Sequence, residues 1–288
     1  MIGQKELRTR IEQFIENGTF PRFSILVGPK GSGKKTLANW IRRCMGQNEL
    51  TISYEATDVK IDTIRDIIAG AYKTAVTNIY IIPDADYMSN AAKNALLKVT
   101  EEPPNNAYII MTLEDENNTL ETIKSRGTVF HMDRYTPDEI ASYFYEEYHA
   151  NNGKPEEEII RAICETPGEV DLLSNIDNNN YIVDFYDYVK LVVDNIAEVS
   201  LANAFKIPSK VALKDDAEGY DLRLFWKAFM RVLMHKSLTF DCEAEQIIQY
   251  GNAVAVTSKY LQKLRVKGIN RSMLMDNWVL EIRELWQN

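Results

Sequence analysis

A chain of 288 residues exceeds the usual size of a single domain, so two or three domains with ample buried core are expected. Hydrophobic residues make up 45% and charged residues 26%, an ordinary balance for a soluble globular protein, and no apolar stretch reaches membrane-spanning length. The formal net charge of −9 argues against a strong autonomous nucleic-acid binder, because a polyanion needs a basic footprint, unless a local patch or a basic partner subunit supplies one.

The first clear element is Phe23-Ser24-Ile25-Leu26-Val27, a short buried strand. It runs into Gly28-Pro29-Lys30-Gly31-Ser32-Gly33-Lys34-Lys35-Thr36, the layout of a phosphate-cradling loop. Its glycines let backbone N–H groups approach an anion, the following helix points its positive end at the charge, and Lys34 can reach terminal phosphates. Leu37, Trp40, Ile41 and Cys44 recur at helical spacing behind the loop. One position departs from the motif: a Ser or Thr directly after the lysine ligates Mg²⁺, whereas here Lys35 stands there and Thr36 comes one residue late. Binding of ATP or ADP is therefore better supported than hydrolysis, and Mg²⁺ is not expected to be well held.

A strand segment at Thr51-Ile52-Ser53-Tyr54, a helix carrying Ile61, Ile64, Ile67 and Ile68, and a buried strand at Ile79-Tyr80-Ile81-Ile82 follow. That strand ends Pro83-Asp84-Ala85-Asp86. A hydrolysing site needs an acid here to hold Mg²⁺ and a neighbouring one to polarise water. Proline takes the first place, and Asp84 sits where the water-polarising acid belongs; Asp84 and Asp86 read equally well as a strand-end turn and helix cap. A helix with Ala92, Ala95, Leu96 and Val99 is stopped by Pro103-Pro104, and strands Tyr108-Ile109-Ile110-Met111 and Val129-Phe130-His131-Met132 flank a polar stretch. This alternation predicts an α/β fold with a parallel sheet and ligands at the carboxyl ends of its strands.

From Thr136 the strands are expected to stop. Thr136-Pro137-Asp138-Glu139 carries a capping threonine, a proline at the first helical position and a glutamate at the third. The run Asp177-Asn178-Asn179-Asn180 suggests a boundary, giving a nucleotide-binding domain over 1–135, a small helical lid over 136–178 and a longer helical domain over 181–288. In the last, Phe185, Val189, Val192, Ile196 and Val199, then Phe225 and Phe229, then Leu274, Trp278, Ile282 and Leu285 form apolar stripes that read as bundle core or subunit interface. Cys44, Cys164 and Cys242 offer neither a disulfide framework nor a CxxC zinc pair and read as buried free thiols; no metal site is expected. Without a signal sequence, the default location is cytoplasmic.

Six strings in register resemble the AAA+ subunits of bacterial sliding-clamp loaders, and most closely the delta-prime type. They are Met1-Ile2-Gly3-Gln4, the loop Gly28 to Thr36, Ile61-Asp62-Thr63-Ile64-Arg65, Ile82-Pro83-Asp84-Ala85-Asp86, the run from Asn94 through Glu101-Glu102-Pro103-Pro104, and Thr122-Ile123-Lys124-Ser125-Arg126-Gly127. Further along, Gly268-Ile269-Asn270 before the last amphipathic helix resembles the family's collar domain. The resemblance implies an AAA+ P-loop domain followed by a helical lid and a helical collar. It makes Arg126, in Ser125-Arg126-Gly127, the arginine finger reaching a neighbour's ATP site, with Gly127 in place of the family's cysteine. Thr112 falls near the polar sensor position at the end of the third strand. Pro167-Gly168-Glu169-Val170-Asp171 lies where active subunits carry a second arginine sensor, and no arginine stands there; the four-cysteine zinc module of many motors is also missing.

The implied role is a stator-like clamp-loader subunit in DNA replication. It keeps the arginine it lends and has lost much of what its own ATP chemistry needs, so no intrinsic ATPase is expected. Its implied partners are other clamp-loader AAA+ subunits, with the sliding clamp and primer–template DNA met through the assembly. The competing readings are an active AAA+ motor subunit in which Thr36 and Asp84 substitute for the shifted ligands, a P-loop nucleotide kinase, and a stand-alone binding module.

Overall fold

The computed structural model describes residues 2–46, 51–55, 59–72, 77–148, 154–174, 181–213, 219–238, 242–264, 266 and 268–287. The chain divides into two compact units: Met1–Tyr135 with Thr166–Gly168, and Thr136–Glu165 with Glu169–Asn288. The boundary expected at residues 177–180 lies outside the described residues.

In the first unit, helix α1 (Lys5–Glu16) leads to strand β1 (Phe23–Val27), α2 (Lys34–Met45), β2 (Thr51–Glu55), α3 (Ile61–Ala71), β3 (Thr77–Ile82), α4 (Asn90–Glu101), β4 (Ala107–Leu113), α5 (Glu121–Lys124) and β5 (Thr128–His131). The five strands form one parallel sheet in the order β2-β3-β4-β1-β5. The side-chain period of two sorts the apolar residues between two cores. Phe23, Ile25, Val27, Tyr80, Ile82, Ile109 and Met111 pack with Ile64, Ile67, Leu96 and Val99 of α3 and α4. Leu26, Ile79, Ile81 and Ile110 face the other way, against Leu7, Ile11, Leu37 and Ile41 of α1 and α2. Because helices cover both faces, the strands read as near-continuous apolar runs, as a buried parallel sheet requires.

The polar stretch before β5 is more ordered than its composition suggested. It contains a 3₁₀ turn at Glu116–Asn118, capped by the Asp115 carboxylate, and the one-turn helix α5. Such short elements lack the length to show a helical period.

The second unit contains α6 (Pro137–Tyr148), α7 (Lys154–Ile163), α8 (Pro167–Ser174, whose first residues count with the first unit), α9 (Tyr181–Asn195), α10 (Leu201–Ala204), α11 (Leu222–Ser237), α12 (Ala244–Lys263) and α13 (Arg271–Gln287). Helix α6 starts as its sequence dictates: the Thr136 N–H donates to the Glu139 carboxylate at 2.8 Å, and the Glu139 N–H donates to the Thr136 hydroxyl at 3.2 Å. Phe185, Val189, Val192, Phe225, Phe229, Trp278 and Ile282 are fully buried, so these stripes are bundle core. Phe229 and Trp278 meet edge to face at 4.9 Å, and the Trp278 indole donates to Thr257. The expectation that strands end at Thr136 needs one correction: two-residue strands β6 (Val211–Ala212) and β7 (Tyr220–Asp221) pair with each other, too short for alternation to reveal them. The cysteine reading also changes in part. Cys164 is buried, with burial pushing its thiol pKa up, whereas Cys44 and Cys242 are only half-buried. No helix among the described residues is long and apolar enough to cross a membrane.

Candidate nucleotide site and arginine finger

The order of strands decides where chemistry can occur. Strand β1 lies between β4 and β5, so the loop leaving β1 opens at the carboxyl edge of the sheet beside the ends of both neighbours. Gly28 fixes that exit: its N–H donates to the Leu113 carbonyl at 3.1 Å, and a Cβ on it would stand 2.7 Å from the Met132 side chain. Gly31 (φ 80°) and Gly33 (φ 85°) take the left-handed turns that shape the cradle.

The loop's own lysine turns back on the cradle. Lys34 is only 6% exposed, and its ammonium donates to the carbonyls of Gly28 at 2.8 Å and Pro29 at 3.0 Å. Charge-assisted bonds of this kind contribute about 1.5–3 kcal/mol each, and a phosphate would have to compete with both. Three further contacts brace the loop from within the first unit. The Tyr135 hydroxyl donates to the Ser32 carbonyl at 2.8 Å, the Thr166 hydroxyl donates to the Lys30 carbonyl at 3.3 Å, and the Gly168 N–H donates to the Gly31 carbonyl at 3.0 Å. Gly31 and Gly168 meet backbone to backbone: a Cβ on Gly168 would lie 2.6 Å from the Gly31 Cα. The segment where an arginine sensor would stand therefore supplies a backbone clasp on the loop.

The donor set fits an anion in part. The cradle has the right turns, and the Ser32 hydroxyl is buried with no hydrogen-bond partner among the described residues. It does not fit Mg²⁺: Lys35 offers an ammonium and Pro83 a pyrrolidine ring where oxygens are needed, and Pro29, Lys30, Lys35 and Thr36 are exposed. Among the described residues, no group of three or more His, Cys, Asp or Glu side chains is disposed to hold a metal ion.

At the exit of β3, Asp84 adopts φ 48° and ψ 44°, a left-handed conformation that Asp tolerates better than most residues. Its N–H donates to the Thr112 hydroxyl at 3.0 Å, so the buried Thr112 ties the ends of β3 and β4 together, while the Asp84 side chain is exposed. Asp86 is a loop staple. Its carboxylate accepts the N–H groups of Glu114 at 2.7 Å and Asp115 at 3.2 Å and the Asn118 amide at 2.9 Å.

Arg126 lies elsewhere. It follows α5 and precedes β5, whose Thr128 pairs with Ser24 at the start of β1, whereas the cradle begins past Val27 at the other end. Four residues of strand at about 3.3 Å each separate the two edges by roughly 13 Å. Arg126 Nη1 donates to the Thr122 carbonyl at 2.5 Å and Nη2 to the Glu101 carboxylate at 2.6 Å. Gly127 next to it has lost the room for a side chain, since Ile25 Cδ1 and a Phe23 ring carbon stand 2.9 and 3.0 Å from where its Cβ would be. The structure thus joins Thr112 to Asp84 and gathers Gly28 through Lys34, but separates Arg126 from all of them.

Several positioning residues carried little sequence signal. The Gln4 side chain donates to the Asp133 carbonyl at 2.8 Å and accepts the Asp133 N–H at 2.7 Å, pinning the start of α1 to the end of β5. Tyr135 and Thr166 had no local motif. Gln4, Glu101 and Gly168 stand inside quoted strings, yet their partners are distant in sequence.

A family model described as DNA polymerase III, delta subunit, matches residues 41–136. The DNA polymerase III gamma subunit of Buchnera aphidicola from Acyrthosiphon pisum is 25% identical over 169 residues, 50% of this chain and 47% of the relative. Replication factor C subunit 3 of Saccharomyces cerevisiae is 29% identical over 139 residues, 45% of this chain and 41% of the relative. The chain thus spans about half the length of the curated relatives it matches. Among solved structures, a DNA polymerase III gamma subunit-related protein of Thermotoga maritima superposes with a TM-score of 0.53 at 18% identity, covering 96% of this chain and 99% of that one, and so shares the fold. Over the matched residues the chain is thus similar to the delta and gamma subunits of DNA polymerase III, and it has the fold of the gamma subunit-related protein.

Proposed function

We propose that this protein serves DNA replication as a stator-like, delta-prime-like clamp-loader subunit that lends Arg126 to the ATP site of a neighbouring subunit. The observation that carries this reading is the roughly 13 Å of strand between Arg126 and the protein's own phosphate cradle. A guanidinium at the amino edge of the sheet cannot contact phosphates at the carboxyl edge of the same sheet, but it is exposed to a neighbour. Its permanent charge and several donors suit the charge that develops on a transferring phosphate. The state of the cradle supports the other half of the reading. Lys34 bonds the loop's own carbonyls and the oxygens for Mg²⁺ are missing, so ATP or ADP binds weakly or not at all and is not hydrolysed by the chain alone.

In this reading the partners are other clamp-loader AAA+ subunits, the sliding clamp and primer–template DNA are engaged through the complex, and the site of action is the cytoplasm. The test is reconstitution with the AAA+ ATPase subunit that co-purifies from native extract. The complex should show clamp-stimulated ATP turnover, and Arg126→Ala should lower it without preventing assembly. Undiminished turnover with Arg126→Ala, or brisk hydrolysis by the isolated chain that Lys34→Ala abolishes, would overturn the reading.

A further inference from the structure

Glu101 sits where helix physics disfavours it. It is the last residue of α4, and Glu102 follows as the C-cap. The backbone dipoles leave this end of a helix negative, so a carboxylate there is unfavourable, and Lys98 one turn earlier is the charge the position calls for. A residue that breaks a local rule with a specific partner in place is a candidate for a role beyond folding.

The partner is Arg126. Its guanidinium is held at two points by two different elements, with Nη2 on the Glu101 carboxylate and Nη1 on the Thr122 carbonyl of α5. Among the described residues its other N–H donors make no hydrogen bond. Two explanations compete. As a stabilising salt bridge the pair is weak, because the Glu101 side chain is 52% exposed and that of Arg126 30%, and water screens the attraction. As an orienting contact it is effective: a long side chain with many rotamers becomes a fork of fixed plane when two of its donors are engaged.

We infer that Glu101 is a positioning residue for the arginine finger, an inference that rests on the finger reading above. It holds the guanidinium in place before any neighbour arrives, so that the remaining donors meet the neighbour's phosphate without a rotamer search. Glu101 contacts no phosphate itself.

The experiment measures steady-state ATP turnover by the reconstituted complex carrying Glu101→Ala, Glu101→Gln, Arg126→Ala or the Glu101→Ala/Arg126→Ala pair. Misplacement of a catalytic group by an ångström costs up to about 10²-fold, so Glu101→Ala should lower kcat roughly tenfold with KM for ATP within about twofold and assembly on gel filtration unchanged. Glu101→Gln keeps an oxygen acceptor and should recover most of the loss. The double variant should turn over no more slowly than Arg126→Ala alone, because a holder without its arginine has nothing left to do. Turnover with Glu101→Ala at or above the parent rate, a change confined to KM, or Glu101→Gln as poor as Glu101→Ala would each overturn the inference while leaving the finger reading intact, provided Arg126→Ala is slow. An Arg126→Ala complex as fast as the parent removes the finger reading, and this one with it.

Discussion

The two edges of the sheet in the first unit are built to opposite ends. At the carboxyl edge the polar groups turn inward: Lys34 bonds loop carbonyls, Thr112 takes the Asp84 N–H, Asp86 staples the loop after β4, and Gly168 clasps Gly31. At the amino edge Arg126 is left with unused donors at the surface, braced by two acceptors. If the proposed function holds, the lesson is that an inherited motif and a working site are separable. On the proposed reading, the edge with the more recognisable sequence bonds mainly its own backbone, and the edge marked by Arg126 is the one that meets a partner.

The largest effect should come from the amino edge. Arg126→Ala should reduce ATP turnover of the complex by about 10³-fold, the lower range for a trans-acting arginine, with the chain's own melting temperature nearly unchanged. A large loss of stability instead would mean that Arg126 serves the fold. Next is the staple at the other edge. Asp86→Ala removes a carboxylate that accepts three hydrogen bonds from partly buried donors, so denaturant unfolding should show a loss of about 2–4 kcal/mol. Lys34→Met should cost about 1–3 kcal/mol of stability, because the Gly28 and Pro29 carbonyls lose a charged donor, whereas in a loop that serves nucleotide the same change spares the fold and removes binding. A thermal-shift series with and without ATP separates the two outcomes.

The smallest expected effect lies in the helical unit and calibrates the others. Burial opposes ionisation of Glu165, but the Arg231 guanidinium at 2.7 Å and the Lys227 ammonium hold its pKa below the ordinary 4.5. A depressed carboxyl pKa contributes stability that is fully present above the unfolded value and is lost as pH falls through the folded one. Unfolding followed from pH 7 downward should therefore show this stabilisation disappearing below about pH 5, and Glu165→Gln should flatten that part of the curve. A curve unchanged by the substitution would remove Glu165 from the account.

Much of the fold was legible in the sequence because it rests on short-range physics. The runs Phe23–Val27 and Ile79–Ile82 declare buried strands by composition, and Thr136 through Glu139 declares a helix start by capping chemistry. The pair β6 and β7 was not legible, since two residues cannot alternate. At the site, loop glycines and lysine could be named from spacing, but where the Lys34 ammonium points could not, because its acceptors are chosen by three-dimensional shape. The clasp was hidden for a different reason: Thr166 and Lys30 lie 136 positions apart, and nothing local in Pro167-Gly168 says what it will touch. Glu101 shows the remaining gap, a residue quoted inside a recognised string whose partner Arg126 is 25 positions away.

The contact of Gly168 with Gly31 also gives the loop a built-in reporter. The Gly168 amide is sheltered only while its proton rests on the Gly31 carbonyl, so its rate of exchange with deuterated water reads how often the loop loosens. A spectroscopist could follow that single proton through assembly with a neighbouring subunit and learn, without any nucleotide assay, whether partnership at the far edge of the sheet ever unlatches the cradle.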